Sequence, residues 1–204
     1  MTASETRSIL GRPANTALVA YGPRLPRSFF ARPTLVVARE LLGKVLLYDG
    51  PLGRRAARLV EVEAYHGTRD PASHAFRGPT PRTSVMFGRP GHAYVYLSHG
   101  VWFCMNVVAH GSGDVGAVLL RGAEPLEGFA AGARLSGPGL LGRGFALSTT
   151  HSGFDLTRSA LQLRDAPMVL PREIARGPRI GIAESATSAK PWRLWVRGSN
   201  AVSR

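Results

Sequence analysis

The stretch RLVEVEAY, residues 58–65, and the stretch YVYLSHGVWFCMN, residues 94–106, decide the fold that the sequence predicts. In the first stretch polar and apolar residues alternate, which is the period of a β-strand. Glu61, Glu63 and Tyr65 therefore share one face, with the carboxylates about 6.6 Å apart along the strand. The opposite face is apolar and is expected to pack inward. The acidic face is either a solvated surface paired with arginines or a carboxylate site.

The second stretch predicts an aromatic β-hairpin. Tyr94 and Tyr96 share one strand face, and aromatic residues at a period of two are typical of a core as well as of a binding platform. The tip, Ser98-His99-Gly100, is a turn and cannot be core. We expect the His99 ring to act as a stacking wedge for a nucleic-acid base step.

The charge of the chain predicts a polyanionic partner, because cations that neutralise phosphates release condensed counterions. The formal net charge is +13 over 204 residues, with 26 basic and 13 acidic residues. Only Lys44 and Lys190 are lysines, so arginine dominates, which a GC-rich genome also explains. No acidic residue lies between Asp70 and Asp114, a window that contains the hairpin. Nucleic acid and an anionic membrane both fit the charge, and we favour nucleic acid.

Several kinds of site have no motif in the sequence. The single cysteine, Cys104, excludes an internal disulfide and is expected to be a buried small hydrophobe. The six histidines are scattered without metal-ligand spacing, so we predict neither a metal nor a cofactor. No apolar run approaches the roughly 20 residues of a membrane span. No secretory signal is apparent, so we expect an intracellular, cytoplasmic and nucleoid-associated protein.

Composition along the chain predicts one domain with an extension. Residues 1–24 lack sustained periodicity and predict a weakly ordered N-terminal segment. Residues 25–204 are expected to form the folded domain. Within it, residues 68–91 are rich in proline and glycine and predict an ordered loop that carries polar groups, including His74.

The elements of the domain predict an α+β fold, with flanking helices around an antiparallel sheet. Helices are predicted from Pro33-Thr34 to Leu42, in a short stretch after Pro125, and from the Ser136-Gly137-Pro138-Gly139 break to about Leu147. Gly43 is expected to stop the first of them. Strands are predicted at residues 44–48, 57–65, 92–97, 102–108, 117–121 and 192–197.

Seven segments resemble the alkyladenine (3-methyladenine) DNA glycosylase family. In chain order they are ARELLGKVLL, RLVEVEAYHG, ASHAFRGPTPRTSVMF, YVYLSHGVWFCMN, VLLRGAEPLEG, LSGPGLL and PWRLWVRGS. Such an ordered series is more specific than one motif. The resemblance implies a single mixed domain with a curved antiparallel sheet and a protruding β-hairpin that inserts into DNA. It also implies that damaged purines are flipped out of the duplex and removed by hydrolysis of the N-glycosidic bond.

The resemblance also implies roles for individual residues at the reacting bond. Glu63 matches the general base, which deprotonates the water that attacks the sugar C1′. Arg121 and the backbone of Ile180 match groups that help hold this water. We therefore expect these three residues to lie together.

Further matched residues are implied to bind the base or the DNA. Asn106 matches the residue that opposes normal guanine through its exocyclic amine. His99 stands where the best-known members of the family place a tyrosine that fills the gap left by the flipped nucleotide. The matched pocket residues are Tyr65, His74 and Tyr96, and the residues matched to DNA backbone or groove contacts are Thr80, Arg82 and Met86.

The resulting hypothesis is a monofunctional hydrolase that acts as a monomer on double-stranded DNA. Expected lesions are 3-methyladenine, 7-methylguanine, hypoxanthine and ethenoadenine. Lyase chemistry needs an amine nucleophile, and neither Lys44 nor Lys190 lies in the site motifs. The alternative is a basic, non-enzymatic nucleic-acid-binding domain in which Glu63 is structural and the aromatic residues only stack on bases.

Overall fold

The computed structural model describes residues 21–203 and confirms an α+β fold around one antiparallel sheet. The helices are α1 (Arg27–Phe30), α2 (Thr34–Leu41) and α3 (Pro138–Gly144). The strands are β1 (Val45–Gly50), β2 (Gly53–Tyr65), β3 (Ala93–Ser98), β4 (Trp102–Val108), β5 (Ala117–Glu127), β6 (Leu135–Ser136), β7 (Leu161–Arg164), β8 (Ile174–Gly177) and β9 (Arg193–Val196). Short 3-10 turns occur at Gly67–Arg69, Ser84–Phe87, Thr149–His151 and Pro171–Glu173.

Strand β2 is the centre of the sheet. The main strand order is β3-β4-β5-β2-β1-β7, and β9 pairs with β2 beside Glu61 and Glu63. A β-bulge shifts the β2–β5 register between Leu59 and Val62, so strict alternation is broken there. Leu59 and Val62 consequently both enter the main core, whereas Val60 is buried outside it. The apolar face of β2 packs inward as predicted, apart from this shift.

Helix α2 covers the core with an apolar stripe. Val37, Ala38 and Leu41 are fully buried. The helix ends before Gly43, whose φ of 85° lies in the left-handed region that glycine adopts without strain. A Cβ at Gly43 would also come within 2.9 Å of Val169 Cγ2. The predicted stop at Gly43 is therefore confirmed.

The predicted helix after Pro125 is wrong, because β5 continues through Pro125 to Glu127. Pro125 pairs with Ala57 and Glu127 pairs with Ala56. Pairing along the long strand β2 therefore extends β5 past a proline that the local sequence marks as a break. The predicted helix that follows Ser136 is confirmed as α3, which begins at Pro138.

The boundary of the predicted N-terminal extension stays a prediction, because residues 1–20 lie outside the described residues. Residues 21–24 contact the domain: Pro23 accepts a hydrogen bond from the Asp165 N–H at 2.7 Å, and Arg24 forms an isolated bridge with Arg164. Within residues 21–203, no helix has the length and apolar character needed to cross a membrane.

Candidate active site

Glu63 lies on β2 with its side chain completely buried. Its carboxylate accepts a hydrogen bond from the Ile180 N–H at 2.9 Å and another from the Tyr65 hydroxyl at 2.9 Å. Arg121 Nη1 lies 3.5 Å from Glu63 Oε1. The predicted group of Glu63, Arg121 and Ile180 is therefore brought together.

Tyr65 is held as a neutral donor beside this carboxylate. Burial and the charge of Glu63 raise the pKa of Tyr65 well above its usual value. The phenol keeps its proton at neutral pH and donates it in the hydrogen bond to Glu63. Tyr65 thus orients the carboxylate and lines the cleft described below.

Glu61 is a second buried carboxylate with a separate set of partners. Arg193 Nε lies 2.6 Å from Glu61 Oε1, and the Ser203 N–H donates to Oε2 at 2.7 Å. Arg121 Nε lies 3.4 Å from Glu61, so the Arg121 guanidinium bridges both acidic residues. The acidic face of β2 is paired with arginines, but it is buried and not solvated.

A cleft of about 650 Å³ opens beside the acidic pair. Its walls come from the β3–β4 hairpin, the loop of residues 68–91, the start of α3 and residues 180–183. The volume falls within the range of small-molecule pockets, roughly 300 to 1,000 Å³. The predicted residues that line it are Tyr65, His74, Met86, Tyr96, His99, Asn106, Arg121 and Ile180.

One wall of the cleft is an aromatic cluster. The Tyr94 and Tyr96 rings stack with centroids 5.5 Å apart, and the His74 ring meets Tyr96 edge-on at 4.5 Å. His74 Nδ1 lies 2.9 Å from the Tyr94 hydroxyl. Desolvation lowers the pKa of His74 below its usual value, and the charge on Arg82 lowers it further. The wall is therefore uncharged at neutral pH.

Asn106 is buried on strand β4, whereas His99 lies at the exposed tip of the hairpin. Asn106 is 5% exposed and donates through Nδ2 to the Tyr94 carbonyl at 3.4 Å. His99 is exposed at the tip with a φ of 50°, followed by Gly100 with a φ of 71°. His99 thus lies in the turn between the paired strands β3 and β4. Insertion of that turn into DNA stays a prediction.

The residues predicted to touch the DNA backbone or groove lie in different surroundings. Thr80 and Arg82 are exposed on the loop outside the cleft, whereas Met86 is only 2% exposed and lines the cleft from within. Among residues 21–203, the exposed Arg77, Arg82 and Arg89 form no salt bridge. This loop therefore presents unneutralised positive charge.

Several residues at the site are not among the predicted site residues. Trp102 lines the cleft and packs against Gly139, where a Cβ would come within 2.7 Å of the indole ring. Both belong to segments of the resemblance, so a glycine beside an aromatic hairpin was the available signal. Asp70 and Arg179 form a buried ion pair behind the cleft, and no local pattern marks them. In the described part of the chain, no group of three or more His, Cys, Asp or Glu could hold a metal ion.

The sequence of the chain is similar to that of known proteins over most of its length. A family model described as methylpurine-DNA glycosylase matches residues 28–200. A relative from Myxococcus xanthus is 49% identical over 88% of this chain and 93% of its own length. A relative from Anaeromyxobacter dehalogenans (strain 2CP-C) is 52% identical over 89% of this chain and 87% of its own length. A relative from Methanocella arvoryzae is 44% identical over 89% of this chain and 96% of its own length. All three bear the name "Putative 3-methyladenine DNA glycosylase".

Proposed function

The chain belongs to the methylpurine-DNA glycosylase family, and from this membership we propose that it hydrolyses the N-glycosidic bond of alkylated and deaminated purines in duplex DNA through Glu63. Activity as a DNA glycosylase of base excision repair follows from the family. The proposed lesions are 3-methyladenine, 7-methylguanine, hypoxanthine and ethenoadenine. The buried Glu63 carboxylate beside a cleft with an uncharged aromatic wall is the observation that carries the proposal.

Binding begins with extrusion of the damaged nucleotide, because the glycosidic bond is poorly accessible inside a duplex. Extrusion costs a few kcal/mol, which contacts with the protein must offset. The exposed arginines of the loop, including Arg82, supply phosphate contacts. The exposed ring of His99 supplies the stacking wedge.

The flipped purine stacks in the cleft against Tyr65 and Tyr96. Alkylation makes a purine cationic, and a cation is attracted to the electron-rich face of a tyrosine ring. His74 adds no opposing positive charge, since its lowered pKa keeps it neutral at neutral pH. The cleft therefore favours electron-poor bases, which are also the better leaving groups.

Hydrolysis is completed by a water that attacks C1′. Its proton passes to Glu63, the C1′–N bond breaks, and the bonding electron pair leaves with the purine. Arg121 and the Ile180 backbone meet the same carboxylate and would hold this water. The Glu63 carboxylate also stabilises the positive charge that develops on the sugar.

No lysine is placed for lyase chemistry. Lys44 Nζ lies 2.6 Å from Asp165 Oδ1, and Lys190 is exposed; neither lines the cleft. Both observations support a monofunctional hydrolase.

The test is excision by the purified protein from four duplexes that each contain one of the proposed lesions, with a chelator present throughout. We expect release of free base from the alkylated substrates and no release from undamaged DNA. Tight binding of every duplex without base release would instead identify a non-enzymatic nucleic-acid-binding domain.

Replacing His99 by alanine is expected to reduce the flipped fraction of the lesion, whereas His99→Tyr preserves or increases it. Stacking of an aromatic side chain on a base is worth about 1 to 3 kcal/mol. A fluorescent base analogue next to the lesion measures the flipped fraction. Equal fluorescence for the wild type and both variants would remove His99 from the DNA interface.

Shortening Asn106 to serine is expected to raise excision of 7-methylguanine relative to hypoxanthine. Asn106 borders the cleft, and loss of a side chain that crowds an exocyclic amine shifts selectivity by roughly 1 to 3 kcal/mol. Single-turnover rates on both lesions in one sequence context give the ratio. Cys104→Ser, two residues away on the same cleft wall, is the matched control and should leave it unchanged. An unchanged ratio in Asn106→Ser would place the gate elsewhere.

A further inference from the structure

Asp70 and Arg179 form a completely buried ion pair behind the cleft. The guanidinium donates from Nη1 to Oδ2 at 2.5 Å and from Nη2 to Oδ1 at 2.9 Å. Thr187 Oγ1 donates to Asp70 Oδ1 at 2.8 Å. Burial opposes ionisation of Asp70, but the hydrogen bonds from Arg179 and Thr187 outweigh it and lower the pKa of this carboxyl.

A gain in folding stability does not account for the presence of this buried ion pair. Two desolvated charges cost several kcal/mol each, and apolar replacements of a whole buried pair are often neutral or stabilising. A bidentate guanidinium–carboxylate pair does, however, fix the orientation of both groups. The pair therefore fixes the position of Arg179 and of the groups that Arg179 contacts.

Arg179 touches both donors to the Glu63 carboxylate. Its guanidinium carbon lies 4.5 Å from the centre of the Tyr65 ring, and its Nη1 donates to the Ala64 carbonyl at 3.1 Å. Tyr65 donates to one carboxylate oxygen of Glu63. Ile180, the next residue after Arg179, donates its N–H to the other oxygen.

We propose that Arg179, clamped by Asp70 and Thr187, is a positioning residue that sets both hydrogen bonds to Glu63. The inference rests on the proposed role of Glu63 as general base. A small displacement of Arg179 moves the Ile180 peptide and the Tyr65 ring together. The carboxylate then loses its orientation toward the attacking water, and a misplacement of about 1 Å can cost 10²-fold in rate.

The test compares Arg179→Lys with the wild type under single-turnover conditions on a lesion duplex. Lysine keeps the positive charge but lacks the planar fork. We expect the rate at saturating enzyme to fall roughly tenfold while lesion-duplex affinity is retained. A lower rate at unchanged affinity is a readout that a merely stabilising role would not give.

Arg27→Lys is the matched control. Arg27 also pairs with an aspartate and a threonine, donating to Asp155 at 2.5 Å and to Thr157 Oγ1 at 3.1 Å, but it does not line the cleft. We expect it to lower the melting temperature while leaving excision unchanged. Thr187→Val, which removes one hydroxyl from the clamp, gives a milder variant should Arg179→Lys fail to fold. It should also lower the rate while lesion-duplex affinity is retained.

The outcomes separate this inference from the proposed function. A wild-type protein without excision overturns the proposed function. Wild-type rates in Arg179→Lys and Thr187→Val, beside an active wild type, overturn the positioning role alone. The positioning role would also be overturned if Arg179→Lys and Arg27→Lys lost the same rate for the same fall in melting temperature.

Discussion

Replacing Glu63 by glutamine is expected to lower the single-turnover excision rate by at least about 10², the typical contribution of a general base. Glutamine keeps the size of the side chain and an acceptor for the Ile180 N–H, but it cannot take a proton from water. Affinity for the lesion duplex should change little, because Glu63 lies beneath the cleft surface. Rates at saturating enzyme and a binding titration on the same duplex measure both quantities.

Glu61→Gln is the matched control for this prediction. Glu61 is equally buried on the same strand, and its oxygens contact Arg193, Ser203 and Arg121. We expect it to lose far less excision than Glu63→Gln. Equal losses of excision in both variants would show that the two carboxylates act as one structural unit. They would contradict separate roles, with Glu63 as the general base and Glu61 as a structural residue.

Replacing Glu61 by leucine is expected to have the largest effect on folding. Leucine leaves the partly buried Arg193 without its carboxylate and removes one of the two carboxylates beside Arg121. Removing one partner of a buried ion pair typically costs about 3 to 5 kcal/mol, because the remaining charge is desolvated and uncompensated. Denaturant unfolding, followed as the free energy of unfolding, measures this cost.

Glu124→Leu serves as its control on the neighbouring strand. Glu124 lies 2.7 Å from Arg58, with about a third or more of each side chain exposed. Partly exposed pairs contribute about 0 to 1 kcal/mol, so this variant should lose much less stability. If Glu61→Leu lost no more free energy of unfolding than Glu124→Leu, burial would not explain the contribution of Glu61 to stability.

The sequence predicted the parts of the site whose pattern is local. A period of two places Glu61, Glu63 and Tyr65 together on β2, and a turn between two aromatic strands exposes His99. Both features depend on residues that are neighbours in the chain, so backbone geometry alone determines them. The family resemblance added roles that spacing could not supply.

Burial of the acidic face could not be predicted, because its partners are distant in the chain. Ser203, which caps Glu61, is 142 residues away from it. Arg179 and Asp70 are 109 residues apart. Neither contact leaves a periodic signal, since each depends on how the loops after β7 return to β2.

Tertiary pairing also explains the errors in secondary structure. Pro125 marks a local break, yet β2 offers a long edge that keeps β5 extended to Glu127. The short strands β6, β7 and β8 have two to four residues each, too few for alternation to be recognised. Their partners β5, β1 and β9 define them.

The most direct test of carboxylate-activated hydrolysis follows both products from a duplex with a single 7-methylguanine. We predict one free purine per strand and an abasic strand that stays intact until alkali is added. In Glu63→Gln both products should form at least about 10²-fold more slowly. Base release at the wild-type rate by folded Glu63→Gln, or strand cleavage without alkali, would contradict the account.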